Sequence, residues 1–153
     1  MISLSEYINE AVVDDPKLEE VKNFLKANYS GACRISSKPN SNGLYVVNCS
    51  YQVCVKNSHI DSLTNGLFEF GKVGDFNCSN CDNLKDLNGA PKDVHSNFRC
   101  NHCKSLTSLE GAPKEVGGLF ICRSCGKQFT EKDIKKVSSV GGKIIYDEQS
   151  NRL

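Results

Sequence analysis

The chain has 153 residues, 39% of them hydrophobic and 24% charged, which suits one ordinary domain or a small unit fused to a few repeats. A formal net charge of +1 and a pI near 7.5 argue against a general nucleic-acid coat or a membrane-surface protein. No apolar run is long enough to span a bilayer, and Glu6 and Glu10 fall where a secretory signal would be basic and then apolar.

Residues 4–13 can form a short amphipathic helix with Leu4, Ile8, Ala11 and Val12 on one face. A second helix has stronger punctuation: Asp15 is a candidate N-cap and Pro16 sits at the first helical position. Leu18, Val21, Phe24 and Leu25 then form a stripe that ends near Asn28 to Gly31. A hairpin is expected next, with arms at Ala32–Ser36 and Leu44–Cys49 around a turn at Pro39–Gly43. Residues 1–50 thus read as a cap of helices and hairpin. It covers the open end of residues 51–153, where apolar core and an unpaired edge would otherwise be exposed.

From Val53 onward the chain repeats. Phe76, Cys78, Cys81, Leu84 and Leu87 recur after 22 residues as Phe98, Cys100, Cys103, Leu106 and Leu109. The connector Asn88-Gly89-Ala90-Pro91-Lys92-Asp93-Val94 returns as Glu110-Gly111-Ala112-Pro113-Lys114-Glu115-Val116. A third copy opens with Phe120, Cys122 and Cys125 and then departs, with Phe129 near the place of the expected leucine. Weaker copies flank these at Val53–Leu63 and Val140–Tyr146, which makes about five strand-like segments. A helix over 131–137 capped by Thr130 replaces the last return arm.

Residues two apart in a strand share a face, so Phe76 and Cys78 point inward while Asn77 points out. Cys81 and Leu84 re-enter the core beyond the bend, and Gly89-Ala90-Pro91 turns the chain back along the convex side. One such coil cannot bury its apolar face alone; parallel coils stacked about 4.8 Å apart build one core. The pattern resembles that of the leucine-rich repeat family in its cysteine-type form, over roughly residues 53–146. That resemblance implies an α+β fold: a short solenoid of parallel β-strands, capped by the N-terminal unit and by the short C-terminal helix.

Nine cysteines invite two readings. As small hydrophobes in reduced form they fill the positions where the repeat needs inward apolar groups. As metal ligands, the three C-x-x-C pairs fall within zinc-site spacing, with Cys78, Cys81, Cys100 and Cys103 brought together by stacked coils. The packed-thiol reading implies no cofactor, and the alternative implies zinc. The repeat favours the first, because three pairs leave two ligands over and the identity extends through every apolar position and the Gly-Ala-Pro turn.

The first eleven residues, Met1-Ile2-Ser3-Leu4-Ser5-Glu6-Tyr7-Ile8-Asn9-Glu10-Ala11, resemble the capsid-targeting peptide of internal head proteins in large tailed bacteriophages. The resemblance implies processing between Glu10 and Ala11, a phage origin, and a place in the virion or in the host cytoplasm.

On this register the outward column is Cys54, Asn77, Arg99, Ile121 and Ile145, flanked by Lys56, Ser79, Asn101 and Arg123, with His102 at the following bend. Lys56, Asn77, Arg99, Asn101, His102 and Arg123 are the candidate binding surface, and Lys56, Arg99 and Arg123 make a modest basic stripe on it. No catalytic motif is present: H-E-x-x-H, G-x-S-x-G and a phosphate-binding glycine loop are all missing. The expectation is a non-enzymatic protein–protein interaction module with no membrane or nucleic-acid partner. Its rival is a zinc-stabilised C-x-x-C module that contacts nucleic acid through Arg99, Arg123 and nearby lysines.

Overall fold

A computed structural model describes residues 15–147, so the expected helix over 4–13 and the Glu10–Ala11 processing site lie outside the described residues. The first helix, α1 (Pro16–Asn28), starts where its punctuation placed it. The Asp15 carboxylate accepts from Lys17 N at 2.9 Å, and Leu18, Val21 and Leu25 are buried on one face. Such capping satisfies N–H groups that have no intrahelical acceptor. The chain turns extended at Tyr29 and runs directly into β1 (Tyr29–Gly31) and β2 (Arg34–Ile35).

Both short strands pair antiparallel with β3 (Tyr45–Val55), and the expected hairpin is present, with Arg34 opposite Asn48 and Ile35 opposite Val47. Asn40 organises its turn by accepting from Asn42 N and Leu44 N through Oδ1. The break expected between Cys49 and Val53 is absent. β3 is continuous through residues 50 and 51, where the sequence placed the boundary between cap and solenoid, and absorbs the irregularity as register shifts against β4 (Phe68–Asn77). A bulge of this kind bends a strand without ending it. Here it leaves Tyr51 66% exposed.

Beyond β4 every pairing is parallel and the sheet divides into two ladders. One continues through β5 (Asp93–Val94), β7 (Glu115–Val116) and β9 (Ser139–Val140). The other continues through β6 (Phe98–Arg99), β8 (Phe120–Cys122) and β10 (Ile144–Tyr146). The result is a parallel-strand β-solenoid of about four turns, carrying two short helices. Each full period therefore supplies two strand segments, whereas the sequence had put Val94 and Val116 in the return connector. Close backbone stacking permits the bend between them: a Cβ on Gly117 would lie 2.1 Å from His95 O, and one on Gly142 2.6 Å from Gly118 O.

The inward positions expected of the two full copies are buried, while Cys125 in the third copy is half-buried. Phe76, Phe98 and Phe120 form one aromatic column, and Cys78, Cys100 and Cys122 the next; Cys81 and Cys103, Leu84 and Leu106, and Leu87 and Leu109 follow around the coil. The N-terminal unit shares this core: Phe24 meets Phe68 edge-on at 5.9 Å, and Tyr29 Oη donates to Leu63 O at 2.6 Å. At the far end α2 (Glu131–Val137) begins with a capping box between Thr130 and Asp133 and buries Ile134 against the last coil.

Candidate functional site

The register brings the expected outward column together in full. Cys54 lies opposite Asn77, Asn77 opposite Arg99, Arg99 opposite Ile121, and Ile121 opposite Ile145. All five are half-buried, as befits side chains standing on a sheet with neighbours on either side. Lys56 and Arg123 are exposed beside the column. His102 sits exposed at the turn that follows, in the left-handed conformation at φ 55°, as do Asn80 at 62° and Ser124 at 54°.

Several of these polar groups are committed within the solenoid. Asn101 Oδ1 accepts from Arg123 N at 3.1 Å, and Asn77 Oδ1 accepts from Ser79 N at 3.0 Å. The same device recurs between coils, where Asp75 accepts from Asn97 N and Asn97 from Leu119 N, each at 2.8 Å. These side-chain bonds take over where the two ladders part, so the bend stays satisfied.

Two of the three members of the expected basic stripe, Arg99 and Arg123, face carboxylates, as does Lys104 beside it, while Lys56 stands exposed. Arg99 Nη1 lies 3.8 Å from Asp75 Oδ1, Arg123 Nε lies 3.9 Å from Asp147 Oδ1, and Lys104 Nζ lies 3.3 Å from Asp82 Oδ2. Solvent-accessible pairs of this sort hold about 0–1 kcal/mol each, but they cancel the local field that a phosphate backbone would seek.

What distinguishes the surface is apolar. Leu119, Ile121 and Ile145 are half-exposed, and among the described residues none of the three joins the core or the hydrophobics packed against it. Leu119 and Ile121, two residues apart in an extended segment, share the outward face, and Ile145 continues it on the next coil. The sequence placed Ile121 and Ile145 in the outward column but assigned binding to its polar members. The overlooked signal was isoleucine at two successive outward positions.

Two concavities open elsewhere on the described surface. One, of about 400 Å³, lies where the ladders part and is lined by Cys49, Ser50, Lys72, Val73, Gly74, Asp93 and His95. The other, of about 520 Å³, lies between α2 and β10 and is lined by Thr130, Glu131, Lys132, Lys135, Tyr146 and Asp147.

The cysteines divide into three groups. Cys33 and Cys49 form a disulfide, which corrects the expectation that all nine thiols are reduced; their Cα atoms are 4.2 Å apart. The hairpin register sets this pair side by side, because Arg34 opposes Asn48. Cys54 is half-buried, and burial raises its thiol above the ordinary value. The remaining six, from the C-x-x-C pairs, run through the solenoid as two adjacent columns.

In those columns the thiols address backbone carbonyls: Cys103 Sγ donates to Cys78 O at 3.1 Å, and Cys125 Sγ donates to Cys100 O at 3.0 Å. The suggested zinc ligands Cys78, Cys81, Cys100 and Cys103 are all fully buried. Among the described residues no group of three or more His, Cys, Asp or Glu side chains is gathered to hold a metal ion. Burial pushes the Cys78 thiol up, while hydrogen bonds to Cys122 and Cys125 push Cys100 up. Cys81 is raised and Cys103 lowered by the bond they share.

No protein-family model, no curated protein and no solved structure matches the chain. Among the described residues, no helix is long and apolar enough to cross a membrane.

Proposed function

We propose that the chain is a non-enzymatic module that binds a protein partner on the outward face of its solenoid strands. The observation that carries this reading is the pair Ile121 and Ile145, adjacent in register and half-exposed beside Leu119, with Arg99, Arg123 and Lys143 around them. A small apolar centre rimmed by arginine and paired charges suits protein recognition, in which apolar anchors supply affinity and the rim supplies orientation. The balanced ion pairs of Arg99 and Arg123 favour this over a phosphate-rich partner.

Membership of the leucine-rich repeat family is part of the proposal, supported by the 22-residue period and its correspondence to one coil. So is a phage origin, with location in the virion or host cytoplasm, supported by the Ile8-Asn9-Glu10-Ala11 text at the start of the chain.

The test compares proteins captured from a host extract by the wild type and by an Ile121→Asp, Ile145→Asp variant whose thermal unfolding matches it. Salt-titrated binding to a labelled oligonucleotide is measured in parallel. A protein held by the wild type and lost by the variant supports the reading. Oligonucleotide binding that falls steeply with salt and survives the double substitution overturns it in favour of the zinc-stabilised nucleic-acid module.

A further inference from the structure

The third C-x-x-C pair differs from the other two in reach and in access. Cys122 and Cys125 Sγ lie 3.6 Å apart. The four thiols of the earlier pairs are fully buried, whereas Cys125 is half-buried and is the last member of its column among the described residues. Behind it Cys122 is 2% exposed, so the pair joins one partly accessible cysteine to one buried cysteine.

We propose that Cys122 and Cys125 are a redox-active dithiol that closes to a disulfide by exchange with a low-molecular-weight disulfide. Cys125 is the attacking thiol and Cys122 the resolving one. Closure needs the sulfurs to approach by about 1.5 Å, from 3.6 Å to bonding distance near 2.05 Å.

The chemistry balances in two exchanges. Cys125 gives up its proton to solvent, and its thiolate attacks one sulfur of the disulfide R–S–S–R, forming Cys125–S–S–R and releasing R–S⁻. Cys122 then gives up its proton to solvent, and its sulfur attacks the Cys125 sulfur and expels the second R–S⁻. Two protein thiols are oxidised and one disulfide is reduced to two thiols, with no further oxidant.

The electrostatics support the division of labour. Hydrogen bonding with the Cys100 and Cys122 thiols, with a further attraction from His102, holds Cys125 below the ordinary thiol range despite its partial burial and the bond its thiol gives to Cys100 O. The bond to Cys100 lowers Cys122, but the bond to Cys125 and burial outweigh it, so Cys122 keeps its proton until the first exchange has removed the charge beside it. Cys54, the other free thiol that is not fully buried, is raised by burial and serves as the internal comparison.

The experiment uses the full chain with oxidised glutathione as the probe, followed by alkylation in denaturant and non-reducing peptide mapping. The expected result is the loss of two hydrogens, mapped to a Cys122–Cys125 crosslink, with Cys54, Cys78, Cys81, Cys100 and Cys103 all recovered alkylated. Cys122→Ser is expected to stop halfway, holding one glutathione on Cys125, and Cys125→Ser to leave Cys122 unmodified. Glutathione on Cys54 before Cys125, a crosslink through Cys100, or full recovery of all seven free thiols from the wild type would each overturn the proposal. The wild-type map decides the matter even where a variant fails to fold.

Discussion

Phe76 and Phe98, one coil apart, stack with ring planes 6° from parallel and centroids 5.8 Å apart. The separation exceeds the strand spacing of about 4.8 Å, so the rings are slid sideways into the offset arrangement that aromatic pairs favour. Phe120 extends the column at 5.0 Å with a tilt of 50°. The column ties each coil to the next, so stability here is a chain of neighbour-to-neighbour interfaces. Phe98→Ala, at the middle of the column and fully buried, should lower unfolding free energy by about 3–5 kcal/mol, and Phe98→Leu by clearly less. Urea unfolding followed by circular dichroism measures both. Equal losses for the two variants would show that the ring, and not buried volume, is what the site requires.

The bend between ladders depends on missing side chains. Gly117→Ala places a methyl 2.1 Å from His95 O, a clash with backbone that has no flexible end to yield, and should cost about 1–3 kcal/mol. Gly66 is the contrast: its φ is +67°, and nothing lies within 4 Å of an added Cβ. Asparagine tolerates that conformation, so Gly66→Asn should stay within roughly 0.5 kcal/mol of the wild type. Melting temperatures of the two variants test the pair. A harmless Gly117→Ala would mean that the coils can move apart at the bend.

The inward residues were legible because two periodicities agree on them: alternation within a strand and recurrence from coil to coil. Phe76 and Cys78 satisfy both, Leu84 and Leu87 the second, and Thr130 announced its helix through a local capping pattern. The second ladder was not legible, since Val94 and Val116 sit in two-residue segments beside Asp93 and Glu115, and only pairing between coils makes those segments strands. Nor was the continuity of β3, because Ser50 and Tyr51 look like a break until a bulge is allowed for. On the candidate surface the column order was readable from spacing. The balancing of Arg99 by Asp75 and of Arg123 by Asp147 was not, because each pair bridges adjacent coils far apart in sequence.

The disulfide between Cys33 and Cys49 closes a loop of sequence separation 16 within the cap. A bond of that span restricts the unfolded chain by roughly 3 kcal/mol. Cys33→Ala with Cys49→Ala, or reduction of the wild type, should therefore lower the urea midpoint by a corresponding amount. The double variant should in turn be insensitive to reductant. If reductant shifts the variant as much as the wild type, the stabilising bond lies among other cysteines.

Acid should weaken the fold through two helix starts. The hydrogen bond from Tyr45 Oη, assisted by Lys17 N, holds the Asp15 carboxyl below its ordinary value of 3.8, and bonds from the Thr130 backbone and hydroxyl do the same for Asp133. A carboxyl whose folded-state pKa is depressed contributes stability that is fully present above its unfolded pKa, near 3.9, and is lost as pH falls through the folded value. Melting temperature should thus be nearly level from about pH 7 to 5 and fall below about pH 4. Tyr45 carries the opposite sign: its bond to Asp15 raises it above 10.0, so that contribution is present below pH 10 and lost as pH rises further. Asp15→Asn with Asp133→Asn removes both titrations, and its melting curve should descend less steeply in acid than that of the wild type. Parallel descents would place the acid-sensitive groups elsewhere, on carboxylates outside the two caps.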